Sequence, residues 1–368
     1  MVSKVKYLIL ITLILHFFFM IPIRAIAFSD EDKKKSLSVF PILMYDTDIG
    51  VGYGGKAKFI NYLSRKESFD FILFNSSKGE RWYVFTFSIP DFEIRQGKRY
   101  PISFDLRAEY DKFLKYSFYG FGVGSCKENE TIFTYERKEL QIKIGRGFTP
   151  HFVIEAHYVL KEVDYFNVEE GRPYTETLRG VGGGFSPYAT FIIRFDTSDS
   201  QIHPRRGFRL LFQNDLASEI LGNKNANYYR FTLDFRKYNR LFGQKDVLAL
   251  RALVKKISGK EIPIFEMPVL GGGSEITAMR GYARNRFIDK GKFLINAEYR
   301  FPIWKKLGGN IFIDGGLIWP SWSNISLDKG VVDLGWGLRY YLKNFVVRFD
   351  MGFSEEGTGI YFDFNHIF

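Results

Sequence analysis

From Ile102 to Tyr110 the chain alternates strictly: Ile102, Phe104, Leu106, Ala108 and Tyr110 share one parity, and Ser103, Asp105, Arg107 and Glu109 the other. Successive side chains of a strand point to opposite faces, so this is a strand with one apolar and one polar face. The pattern recurs. Tyr229, Phe231, Leu233 and Phe235 oppose Arg230, Thr232, Asp234 and Arg236; Phe293, Ile295, Ala297, Tyr299 and Phe301 oppose Leu294, Asn296, Glu298 and Arg300. Phe345, Val347, Phe349 and Met351 oppose Val346, Arg348, Asp350 and Gly352. Carried along the chain, alternation predicts sixteen strands: 37–44, 49–62, 67–77, 80–90, 101–113, 131–146, 150–162, 179–195, 207–218, 226–239, 246–257, 292–301, 308–318, 331–342, 345–353 and 358–368.

A soluble sandwich also alternates. Two features favour a membrane barrel instead. Many of the segments are longer than the five or six residues of an ordinary strand, and close to the roughly 9–11 residues of a tilted membrane-spanning one. The apolar face is aromatic, and the polar face carries full charges of both signs, which suits lipid outside and a polar lumen within. Such a sheet must close, because unpaired backbone groups in lipid cost several kcal/mol each. The fold class expected is therefore all-β, a transmembrane antiparallel β-barrel. Residues 114–130, 163–178, 258–291 and 319–330 then fall on the outer side, and Arg240 to Asp246 and Lys343-Asn344 on the inner side.

The N-terminus reads as a targeting segment. Lys4 and Lys6 precede an apolar run from Tyr7 to Ile23, and Ala25-Ile26-Ala27 supplies small residues for cleavage. This is the pattern of a secretory signal peptide over 1–27, with an uncleaved helical anchor as the alternative. The barrel then occupies 28–368, with its first strand soon after the cleavage site.

Composition narrows the chemistry. Aromatic residues make up 18% and there are 35 Gly, which favours strands. The net charge of +11 falls once Lys4, Lys6 and Arg24 are removed, and no basic run is long enough for a nucleic-acid footprint. One cysteine, Cys126, rules out an internal disulfide framework. His16, His151, His157, His203 and His366 form no metal-ligand spacing, so neither a metal nor a cofactor is expected. There is no G-x-S-x-G elbow, and Glu169-Glu170 and Glu355-Glu356 sit in outer loops. The runs Gly182–Gly184 and Gly271–Gly273 lack the lysine of a phosphate cradle. The chain is read as a non-enzyme.

Four local patterns occur in order over the C-terminal half: Asp196-Thr-Ser-Asp199 with Pro204 and Gly207; Gly271-Gly-Gly273 followed by Arg280-Gly281-Tyr282; Phe312-Ile-Asp314-Gly-Gly316; and Leu334-Gly-Trp-Gly-Leu-Arg339, leading to Arg348-Phe-Asp350 and Phe368. Together they resemble the BamA/TamA superfamily of outer-membrane assembly and translocation barrels, the bacterial surface antigen type. The resemblance implies a barrel of about sixteen strands whose long sixth outer loop folds into the lumen. Arg280 would pair there with acidic wall residues, Asp314 and Glu298, while Gly281 passes close to the wall and Tyr282 packs inside. Asp196, Asp199, Pro204 and Gly207 would shape an inner turn. Ile360, Phe362, Phe364 and Phe368 would alternate outward as a C-terminal assembly signal. The barrel is expected to stand without the POTRA modules that precede it in many relatives. The implied role lies in outer-membrane biogenesis or transport in a Gram-negative bacterium. The implied partners are outer-membrane lipids, the barrel-assembly machinery during biogenesis and an unfolded protein substrate. The alternative is a passive pore or structural surface antigen without insertase activity.

Overall fold

The computed structural model describes residues 35–168, 180, 182–224, 226–243, 245–342 and 345–368. The expected signal peptide over 1–27, Glu169-Glu170 and Lys343-Asn344 lie outside these described residues.

Sixteen long strands make one antiparallel sheet. They are β1 (Ser36–Asp46), β2 (Gly50–Ile60), β3 (Ser68–Ser76), β4 (Arg81–Ile89), β5 (Tyr100–Phe118), β6 (Thr131–Gly147), β7 (Phe152–Phe166) and β8 (Tyr188–Asp196). The second half is β9 (Gly207–Ala217), β10 (Asn227–Asn239), β11 (Val247–Lys260), β12 (Gly291–Trp304), β13 (Leu307–Trp319), β14 (Val331–Tyr341), β15 (Val346–Ser354) and β16 (Gly357–Phe364). Each strand pairs with the next, and β16 pairs back to β1, so the sheet closes. Every expected strand has a counterpart.

Alternation decides which way each side chain faces. On β13, Asn310, Phe312 and Asp314 are buried, whereas Ile311 and Ile313 are about half exposed, at 55% and 50%. On β14, Val331, Asp333, Gly335, Gly337 and Arg339 are buried and Val332, Leu334, Trp336 and Leu338 exposed. The buried parity is the polar one, so the closed sheet turns its charged side chains inward and its aliphatic and aromatic ones outward. This inverts a water-soluble barrel and matches a lipid-facing one.

Several strand ends differ from expectation; β7, for one, runs to Phe166 rather than 162. β5 runs to Phe118 rather than 113, because a bulge between Phe113 and Tyr116 shifts its pairing with β6 and breaks the period-two pattern there. The eighth strand, expected from 179, begins at Tyr188; Gly184–Phe185 pairs with β7 as a separate piece, and Ser186-Pro187 interrupts the ladder. β16 stops at Phe364 rather than 368.

Candidate functional site: the sixth loop, its luminal anchors and the seam

The loop between β11 and β12, residues 261–290, is the sixth on the end of the barrel that carries the long connections. It contains one short helical turn, Ile264–Glu266, and a two-residue ladder of Val269–Leu270 with Phe287–Ile288. Leu270, Met279, Tyr282 and Phe287 bury against inward residues of β11 to β14, among them Leu253, Leu294 and Val331. Tyr282 is 2% exposed and meets the Phe287 ring edge-on.

Arg280 donates four side-chain hydrogen bonds, all of them to carboxylates of the barrel wall. Its Nε and Nη2 donate to Oδ2 and Oδ1 of Asp314 at 2.8 and 2.9 Å, a bidentate fork. Nη1 donates to Glu298 Oε2 and Asp350 Oδ2, both at 3.2 Å. The guanidinium lies over the Phe312 ring at 3.3 Å from its centroid. Arg280, Glu298, Asp314 and Asp350 are all 0% exposed. Asp314 and Glu298 are the wall residues named from sequence. Asp350 is a third partner that sequence reasoning missed, although its parity on β15 marks it as inward.

A second layer of arginines keeps these carboxylates paired. Arg339 reaches Glu298 at 3.0 Å and Asp350 at 2.7 Å, and Arg300 reaches Glu298 at 3.0 Å. Arg348 bridges Asp350 at 3.3 Å and Asp363 at 2.8 Å. Cations and anions alternate through the cluster, so few charges face another of the same sign without a counter-ion between them. The exception is Asp333, which stands opposite Asp314 in the ladder.

Glycines let the loop backbone reach the wall. A Cβ on Gly352 would sit 2.5 Å from the Arg280 carbonyl carbon, and one on Gly359 would sit 2.3 Å from its oxygen. Both positions therefore exclude any other residue.

The loop has further anchors. Glu266, fully buried, accepts from Lys161 of β7 at 2.6 Å and Arg230 of β10 at 2.7 Å. Burial would raise this carboxyl, but Lys161 and Arg230 outweigh it and hold it below the ordinary carboxylate range. Arg284 lies over the Phe113 ring at 4.0 Å and 3.9 Å from Glu80 in the β3–β4 turn. Asp46 and Asp48, in and beside the β1–β2 hairpin, also feel its charge. Burial pushes the Glu80 carboxyl up to about 8, against the pull of Arg284. Arg286 forks onto Glu356 of the β15–β16 hairpin at 2.6 and 2.8 Å, and donates to Ser125 in the β5–β6 loop. Glu356, placed in an outer loop from the sequence, is thus an ion-pair partner.

These last two arginines flank the seam. β1 pairs with β16 at Tyr45–Phe362 and Asp46–Tyr361, and Thr47 adds bonds to Ile360. Among the described residues, Ser36 to Met44 have no partner on the β16 side, whereas β2 pairs with all of β1. Pro41, which lacks an N–H, falls in this unpaired stretch. Elsewhere round the barrel the long strands pair along most of their length.

At the opposite end, the expected inner-turn residues do local work. Asp196 accepts from Ser198 N at 2.8 Å and Gln201 at 2.7 Å, and Asp199 accepts from Arg205 N at 2.8 Å. Gly207 has φ +97°, and a Cβ there would strike the Thr197 carbonyl at 2.3 Å. Pro204 is buried. Neighbouring His203 reaches across to Leu342 O and the rings of Tyr341 and His366.

The C-terminus corrects one expectation. Phe368 does not continue the outward series of Ile360, Phe362 and Phe364. Asn365, at φ 64°, ends the strand and turns the chain inward. Ile367 and Phe368 are then 3% and 4% exposed, packed in the luminal cluster, and Arg300 donates to the Phe368 carbonyl at 3.0 Å.

Among the described residues, no group of three or more His, Cys, Asp or Glu is placed to hold a metal ion.

Comparison with known proteins agrees with this geometry. The structure resembles BamA from Haemophilus ducreyi lacking POTRA domains 1–3, with a TM-score of 0.67 at 14% identity over 90% of this chain and 70% of that one. It also resembles CdiB from Acinetobacter baumannii, with a TM-score of 0.55 at 12% identity over 90% of this chain. CdiB from Escherichia coli gives 0.62 at 10% identity over 89%. This chain spans 60% and 62% of the two CdiB chains. No curated protein matches the sequence. The family model for the Omp85 superfamily domain matches residues 68–367, and the chain therefore belongs to the Omp85 superfamily.

Proposed function

We propose that this barrel handles protein substrates at the β1–β16 seam, in the outer membrane of a diderm bacterium, during membrane-protein assembly or transport. The observation that carries the reading is the seam itself. A stretch of β1 from Ser36 to Met44 offers a strand edge with no partner on the β16 side, and backbone groups left unpaired in lipid are costly. An incoming strand would satisfy them by β-augmentation. The stretch is also apolar on both faces, with Val39 66%, Phe40 43% and Leu43 59% exposed.

On this reading the sixth loop is a latch. Arg280 holds it to the wall through Asp314, Glu298 and Asp350, while Arg284 pairs with Glu80 of the β3–β4 turn near the β1 side of the seam and Arg286 ties it to the β15–β16 hairpin on the other side. Ile360, Phe362 and Phe364, facing outward on β16, serve the chain's own assembly, and residues 1–27 direct its export.

The test is quantitative proteomics of outer membranes with and without the chain. The reading predicts depletion of other barrel proteins, or of one surface or secreted partner. If nothing changes except the chain itself, the seam has no substrate and the barrel is structural.

A further inference from the structure

The β13–β14 loop, residues 320–330, does not extend away from the barrel rim. It folds back over the outer wall. Phe231, Lys256, Gly291 and Trp319 stand in one row across β10 to β13, each paired with the next, and all on the lipid-facing parity. Outward residues should be exposed, yet Trp319 is 2% and Lys256 5% exposed. Something covers them, and it is this loop.

Three contacts seat it. The Trp319 indole lies over Gly291, where a Cβ would sit 2.5 Å from the ring. The Lys256 ammonium donates to the Pro320 carbonyl at 2.9 Å. Trp322 stacks on Phe231 at 6.1 Å, with ring planes 15° apart, and packs on Trp319 at 5.7 Å. The loop therefore crosses the outer faces of β12 and β11 to reach β10, about 14 Å at normal strand spacing.

We infer that this loop is a flap embedded in the outer leaflet, where its exposed apolar residues contact lipid. Trp322 is 53% exposed, Ile325 39% and Leu327 86%, an apolar load that an aqueous loop has no reason to carry. The flap is continuous with the lipid-facing belt below it: Leu233 and Phe235 follow Phe231 on β10, and Ile313 and Ile311 lie below Trp319 on β13. Tryptophan favours the membrane–water boundary, where its ring meets acyl chains and its N–H meets headgroups. Lys290 and Lys329, both exposed, lie in and beside this part of the rim, where cations suit phosphate headgroups. The inference rests on the reading of the chain as a membrane barrel.

The test uses the whole barrel reconstituted in phosphatidylcholine vesicles with brominated acyl chains. The Trp322 emission is obtained as the difference between the parent and Trp322→Phe. Trp336, on the lipid-facing side of β14, is obtained in the same way as a control. The flap predicts that both signals are quenched by the brominated lipid and shielded from acrylamide in water. Gly291→Leu, which unseats Trp319, is expected to move the Trp322 signal toward acrylamide quenching and leave Trp336 unchanged. A Trp322 signal open to acrylamide and untouched by brominated lipid, with Trp336 quenched by lipid, overturns the flap alone. Failure of Trp336 to be quenched by lipid overturns the membrane reading and the flap with it.

Discussion

Arg280→Ala is expected to lower the thermal unfolding midpoint of the refolded barrel and to free the sixth loop. The reason is the company Arg280 keeps. It neutralises Asp314, Glu298 and Asp350 in a site that is 0% exposed. Alanine leaves Asp314 without a cation on either oxygen and facing Asp333 across the ladder. Breaking one partner out of a buried ion cluster typically costs about 3–5 kcal/mol, because the remaining charge stays desolvated. Arg339, Arg300 and Arg348 still cover Glu298 and Asp350, so the loss concentrates at Asp314. Arg280→Lys is expected to fall between, since an ammonium cannot fork onto Asp314 while also reaching Glu298 and Asp350. Heat-dependent gel mobility reads the midpoint directly. An Arg280→Ala barrel that unfolds with the parent contradicts the latch.

The second large effect belongs to Arg284 and Arg286 together. Replacing both with Gln is expected to loosen the seam without unfolding the barrel. Arg284 is a cation beside Glu80, Asp46, Asp48 and Asp111, so its removal takes away a charge that offsets the burial of these carboxyls next to the end of β1. Arg286 holds the β15–β16 hairpin through a bidentate pair with Glu356. Hydrogen bonds to charged groups contribute roughly 1.5–3 kcal/mol each, which corresponds to about ten- to a hundredfold in an opening equilibrium. Amide hydrogen exchange should therefore accelerate by that factor at residues 45–47 and 360–362, where β1 and β16 meet. Exchange in the β12–β13 ladder, remote from the seam, should not move. Equal acceleration at both places would mean general destabilisation and no clasp.

What could be read from the sequence follows from what alternation reports. Period two places each side chain on one face, so the sixteen strands and the inward parity of Asp314, Glu298 and Asp350 were all legible. It does not report which inward charge meets which. The partnership of Arg280 with Asp350 joins loop and strand 70 residues apart. The link from Arg286 to Glu356 crosses the same distance between two loops, where no periodicity operates. Alternation also fails where the backbone leaves strand geometry. The bulge near Phe113 hid the upper end of β5, and Asn365 turned Phe368 inward although its parity continued the outward series. The fold-back of residues 320–330 left one trace in the sequence, a Gly291 aligned with Trp319, which only the pairing register makes meaningful.

On the proposed function, the seam must open for this barrel to act. Tyr45 and Phe362 face each other across it, and directly opposed residues of antiparallel strands lie about 4.5–5.5 Å apart at Cα, within the span of a disulfide. Cys126 is exposed and must first be replaced by Ser. In that background, Tyr45→Cys with Phe362→Cys can be closed by oxidation and reopened by a reductant, and outer-membrane composition followed in both states. The oxidised barrel is expected to reproduce the protein losses predicted for membranes lacking the chain, and reduction to restore them. Unchanged composition with the seam fully cross-linked would contradict it.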